Sequence, residues 1–118
     1  VGMFETALEE DEIITSVSFP APTSAAYMKF KQPASRFALV GVFVAKTAGG
    51  VRVAVTGATS VAHRGPKLEA ALNENFSASA VDGVQIPVDH MNVDIHAGAE
   101  YRANLVKVMA KRAVEACG

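Results

Sequence analysis

Apolar and polar residues alternate with a period of two through most of the first half of the chain. Helical spacing takes over in the second half. Ile13, Thr15, Val17 and Phe19 alternate with Ile14, Ser16 and Ser18, which predicts a half-buried strand. Pro20 and Pro22 close it, because proline cannot donate to a ladder. Ala26, Met28 and Phe30 alternate with Tyr27, Lys29 and Lys31, predicting a second strand. From Phe37 to Lys46 the pattern changes to a strand apolar on both sides. Leu39, Gly41, Phe43 and Ala45 share one face, and Ala38, Val40, Val42 and Val44 share the other, as in a strand covered on both faces. Thr47-Ala48-Gly49-Gly50 supplies a turn with two residues able to take positive φ. Val51, Val53 and Val55 then alternate with Arg52, Ala54 and Thr56 in a fourth strand that ends at Gly57.

Pro66 suits the first turn of a helix, where a missing N–H costs little, and Leu68, Ala71, Leu72 and Phe76 follow at helical spacing. Ala78, Ala80, Val81 and Val84 predict a short helix interrupted by Gly83. Residues 87–97 read as an extended connection. Ala99 to Ala116 forms the strongest helical pattern, with Tyr101, Leu105, Val108 and Met109 on one stripe. Arg102, Asn104, Lys107, Lys111 and Glu115 fall mostly off it. Strands followed by helices predict an α+β fold: a small antiparallel sheet of three to four strands, with about three helices packed on one face. The doubly apolar third strand then needs cover on its second face, from a neighbouring domain or from curvature within this one.

A chain of 118 residues makes one domain, spanning 1–118, and 50% hydrophobic residues give it ample material for a core. A net charge of −1 gives no bulk electrostatic reason to bind nucleic acid or an anionic membrane. No apolar run reaches the ~20 residues of a membrane span, and Val1-Gly2-Met3-Phe4-Glu5 lacks the layout of a signal peptide. The single cysteine, Cys117, forms no internal disulfide, which fits a reducing cytoplasm. Val1 precedes the first methionine, so the expectation is a fragment of a longer polypeptide.

Little catalytic chemistry is visible. His90 and His96 with Asp89 and Asp94 match no structural zinc spacing and read as solvated loop residues. His63 and Arg64 precede Pro66, where a helix N-terminus attracts anions, but helix entry alone accounts for them. Ser35, Thr59 and Ser60 have no histidine–carboxylate arrangement nearby. No Gly-x-Gly-x-x-Gly or phosphate-loop pattern occurs, and Glu9-Glu10-Asp11-Glu12 reads as a solvated turn. The turn from Lys31 to Phe37 differs. A lysine at the end of a strand is aimed by the sheet, and Phe37 beside it offers a face to a flat ring.

Phe4-Glu5-Thr6-Ala7-Leu8, Asp11-Glu12-Ile13-Ile14 and Phe19-Pro20, then Lys29-Phe30-Lys31-Gln32-Pro33-Ala34-Ser35-Arg36-Phe37-Ala38-Leu39-Val40, occur in an order that resembles a known domain. So does the final helix, entered through Ala99-Glu100-Tyr101-Arg102. The blocks resemble the C-terminal domain of the FAD-binding medium subunit of molybdenum hydroxylases, the carbon monoxide dehydrogenase and xanthine dehydrogenase family. The likeness covers essentially the whole chain and is weakest over residues 74–93.

The resemblance implies an α+β domain lying beside a flavin domain. FAD would be bound mainly by an N-terminal part of the same polypeptide, with the molybdenum cofactor and iron–sulfur clusters on partner subunits. Electrons would pass from molybdenum through the clusters to FAD and on to an external acceptor. By position, Ile14 falls on an apolar FAD contact and Lys31 on the FAD-contacting lysine of the Phe-Lys-Gln block. Phe37 falls near the apolar residue that ends the loop beside the flavin. That loop is shorter here than in xanthine dehydrogenases and lacks the acidic residues after Ser-Arg, which is closer to the carbon monoxide dehydrogenase branch. The departure weakens the expectation of NAD as acceptor. Two rivals stand beside this assignment: a free-standing protein-interaction module without cofactor, and a small enzyme built on the His90–His96 segment.

Overall fold

A computed structural model describes residues 2–118. Four antiparallel strands form one sheet in sequence order: β1 (Ser24–Lys31), β2 (Ala38–Thr47), β3 (Gly50–Thr56) and the two-residue β4 (His63–Arg64). Helices α1 (Pro66–Glu74) and α2 (Ala99–Cys117) follow, with a short 3₁₀ turn at Ala78–Val81 between them.

The period-two patterns place their side chains as expected. Ala26, Met28 and Phe30 of β1 pair with Val44, Val42 and Val40, and Val42 and Val44 pair onward with Val55 and Val53. These residues form the inner face, with β2 and β3 supplying its fully buried valines. Helix α2 lies along β1 and β2, and α1 lies on β3. Leu68, Leu72, Leu105, Val106, Met109, Ala110, Ala113 and Val114 close the core over the valines. Each fully buried aliphatic side chain contributes about 1.5–3 kcal/mol relative to exposure. The β2–β3 hairpin closes as its turn residues dictate. Gly50 takes φ +112°, and the Thr47 hydroxyl donates to the Gly50 carbonyl at 2.8 Å while accepting from the Gly49 N–H.

Glu69 is buried at the join of α1 and β3. Its carboxylate accepts from the Val53 N–H at 3.0 Å and from the Arg64 guanidinium. Asn73, one helical turn on, accepts from the Val51 N–H at 2.9 Å. Two side chains of α1 thereby satisfy alternate N–H groups of β3.

Three expectations are corrected. Residues 13–19 form no strand and make no backbone hydrogen bond among the described residues, and Ile13, Ile14, Val17 and Phe19 stand exposed. Their alternation fits a strand, but Pro20 and Pro22 remove two donors where a hairpin onto β1 would begin. The fourth strand is instead β4, paired with β3 through Ala54↔Arg64 and Val55↔His63. The helices number two rather than about three, because residues 78–84 make only a 3₁₀ turn. Leu105 and Met109 of α2 are buried as expected, but Tyr101 stands out at 46% exposure while Arg102 is buried at 2%, so the buried face takes in Arg102, Val106 and Ala113 beside them.

The second face of β2 is partly covered by the chain itself. Phe19, Pro20 and Pro22 line an apolar depression there with Phe43, Ala45, Thr47 and Arg52.

Candidate functional site

The β1–β2 turn is organised by one side chain. The Gln32 carboxamide oxygen accepts from the Ala34 N–H at 2.6 Å, the Ser35 N–H at 2.7 Å and the Ser35 hydroxyl at 3.2 Å. The Gln32 backbone closes the loop: its N–H donates to the Phe37 carbonyl at 2.8 Å, and its carbonyl accepts from the Arg36 N–H at 2.9 Å. Arg36 takes φ +64°, the left-handed conformation that lets the chain reverse within these residues. Lys31 and Phe37 therefore stand at the two feet of one closed turn.

Both are exposed, and neither lies beneath the helices. Lys31 continues the outward-facing series Ala25, Tyr27 and Lys29 of β1. Lys29 points its ammonium toward the Arg36 carbonyl at 3.4 Å. The Lys31 side chain has no hydrogen bond or ion pair among the described residues, so its charge is available to an outside group. Phe37 is 46% exposed and borders a surface depression shared with Met3, Gly57, Val93, Asp94 and Arg102. The third predicted site residue, Ile14, is 69% exposed in the segment before β1 and is not among the residues around that depression.

An ion pair lies beneath the depression. Arg102 reaches from α2 to Asp94 at 2.9 Å. The Asp94 carboxyl lies below the usual aspartate range: the His96 N–H stabilises its charge most, the Ala97 N–H and Arg102 add to this, and burial opposes them. Sequence reasoning placed Arg102 on the solvent side of the helix and so missed it. The available signal was its phase, since residues 102, 106, 109 and 113 recur at helical spacing and the last three are apolar.

The remaining candidates do not assemble into chemistry. Among the described residues no three His, Cys, Asp or Glu side chains converge as metal ligands. Asp94 is engaged as above, and His63 shares a hydrogen bond with the Thr59 hydroxyl at 3.0 Å. No helix among the described residues is long and apolar enough to cross a membrane. An exposed cation and an exposed aromatic ring on one rigid turn suit an anionic, planar ligand.

The chain is 32% identical over 130 aligned residues to the nicotine 6-hydroxylase medium subunit of Paenarthrobacter nicotinovorans, covering all of this chain and 45% of that one. A carbon monoxide dehydrogenase from Hydrogenophaga pseudoflava that lacks the Mo-pyranopterin moiety of the molybdenum cofactor contains a chain of the same fold. Its TM-score is 0.72 with 28% identity, over 99% of this chain and 45% of that one. The chain is homologous to molybdenum hydroxylase medium subunits. The reconstituted carbon monoxide dehydrogenase from Oligotropha carboxidovorans shares the fold at TM-score 0.77, with 23% identity over 99% of this chain and 45% of that one. No family model matches the chain. The chain spans about half the length of these relatives, at 45% of each.

Proposed function

We propose that the chain is the C-terminal domain of the flavoprotein (medium) subunit of a molybdenum hydroxylase. In this proposal it covers one side of an FAD held mainly by an N-terminal domain of the same polypeptide. The complex is an oxidoreductase whose other subunits carry iron–sulfur clusters and the molybdenum cofactor, and the reducing cytoplasm suits its lone Cys117. The observation that carries the proposal is the Gln32-closed turn, with an exposed Lys31 side chain that has no partner at one end and an exposed Phe37 at the other.

These residues fit the cofactor. FAD, when bound, supplies the two-electron chemistry that links the clusters to an external acceptor. The Lys31 ammonium offsets negative charge on the cofactor and orients it. Phe37 shields the site from water with an apolar face, and Ile14 adds a second apolar contact from the preceding segment. None of the three acts as a nucleophile or moves a proton. Their contribution is position and local charge.

The test is FAD affinity of the full-length subunit carrying Lys31→Met. Losing one charge-assisted contact of about 1.5–3 kcal/mol raises the dissociation constant about tenfold or more. An affinity equal to that of the unsubstituted subunit removes the turn from the cofactor site.

A further inference from the structure

We propose that Arg102 is a positioning residue for the Lys31–Phe37 turn: from helix α2 it fixes a β-bulge at Leu39, and the bulge sets where those two side chains stand. The proposal rests on the flavin-facing assignment of the turn.

The ladder between β1 and β2 runs in register to Phe30↔Val40 and then jumps to Lys31↔Ala38, leaving Leu39 without a partner on β1. The β2–β3 ladder begins only at Gly41↔Thr56, so Leu39 has no partner in that ladder either. Its carbonyl is taken by Arg102 Nη1. The same nitrogen donates to the Gly57 carbonyl at 3.1 Å, just beyond the end of β3. Nη2 holds Asp94 at 2.9 Å. One planar fork thus joins the start of β2, the end of β3 and the 91–97 connection. Lysine has a single point of attachment and cannot reproduce that geometry.

Gly57 lies against the bulge as well. It takes φ +75°, and a Cβ there would stand 2.6 Å from the Ala38 carbonyl oxygen and 2.7 Å from that of Leu39. The Leu39 carbonyl is therefore met both by a glycine that must stay bare and by a forked guanidinium.

A stability role alone accounts poorly for this arrangement. Arg102 is 2% exposed, and its Nε is buried with no hydrogen-bond partner. A buried charge so incompletely satisfied is an inefficient source of folding energy, because desolvation offsets much of the pairing. Bulges re-aim side chains and bend strands. The register shift falls immediately before Lys31, and the turn beyond it closes on Gln32 as a unit. A shift at Leu39 therefore moves Lys31 and Phe37 together.

The experiment uses the intact FAD-loaded subunit and measures iodide quenching of flavin fluorescence beside thermal unfolding. Arg102→Met and Gly57→Ala disturb the bulge in two ways, by loss of a donor and by an added Cβ. Val106→Ala, in the core on the same helix, provides a comparable loss of stability without touching the bulge, and Lys31→Met reports whether the turn faces the flavin at all. The expected result is a quenching constant raised about threefold or more by Arg102→Met and by Gly57→Ala, a smaller rise for Arg102→Lys, and little change for Val106→Ala. If Lys31→Met alters quenching but the two bulge variants change it no more than Val106→Ala does, the positioning role is overturned and the flavin-facing turn survives. If Lys31→Met has no effect, both fall.

Discussion

The Tyr27 hydroxyl meets Thr56 Oγ1 at 3.1 Å across Gly41, the residue of β2 that lies between their strands. A Cβ at Gly41 would land on the Tyr27 hydroxyl and within 2.5 Å of Thr56 Oγ1. The glycine interrupts an otherwise apolar strand because a side chain from one neighbour crosses it to reach the other. Gly41→Ala is expected to destabilise the chain by about 1 kcal/mol, the worth of one displaced hydrogen bond. In a Tyr27→Ala background the same change should cost less, because the phenol is gone and only the Thr56 hydroxyl must turn away. Urea denaturation of the four members of this cycle measures the coupling.

Glu69 should be the most consequential carboxylate for stability. Burial pushes its pKa up, but the hydrogen bond from Arg64, the Val53 N–H and the charges of Arg64 and Arg52 together bring it below the ordinary glutamate value. Its stabilisation is therefore present above that ordinary value and is lost as pH falls through the depressed one. Glu69→Ala leaves the Val53 N–H without its acceptor and should cost about 1–3 kcal/mol in denaturant unfolding. The acid limb of the stability–pH curve should flatten in the same variant.

Asp94 makes a local acid prediction. Its depressed pKa comes first from the His96 N–H, with the Ala97 N–H and Arg102 assisting, so its contribution is present at neutral pH and lost as pH falls through the depressed value. Amide exchange at His96 and Ala97, corrected for intrinsic rates, should lose protection over that acid range. Asp94→Asn should weaken the protection at neutral pH as well.

Cys117 donates its thiol to the Val44 carbonyl at 3.6 Å, and its pKa is raised, chiefly by burial. Since the thiolate is the reactive form, a disulfide reagent at neutral pH should label it more slowly than free glutathione. The rate should climb as pH is raised toward and beyond the ordinary thiol value. Labelling as fast as glutathione at neutral pH would contradict this environment.

Residues 1–118 alone should bind FAD weakly or not at all, because the turn offers one cation and one ring but no phosphate cradle. Isothermal titration checks this directly, and tight binding would move the main cofactor site onto this domain.

Strands β1, β2 and β3 and helix α2 were legible because alternation and helical spacing report which side chains face a core. The same alternation misled at Ile13–Phe19, since it records sidedness and says nothing about which backbone will supply hydrogen bonds. His63–Arg64 carried no pattern at all; two residues are too few to show a period. At the candidate site, Lys31 and Phe37 were legible as neighbours because a hairpin joins them. Arg102 was not, because a charge on a helix reads as solvent-facing until its phase is compared with Val106, Met109 and Ala113.

The carboxamide of Gln32 collects two amide protons and a hydroxyl within a stretch that ends at Ser35. Most surface loops accept extra residues cheaply, but this one does not have that latitude. An added residue between Pro33 and Ser35 would carry those donors away from their common acceptor. Such an insertion would have to bring a new internal scaffold with it, so the span of this loop is set by a side chain within it rather than by the strands it connects.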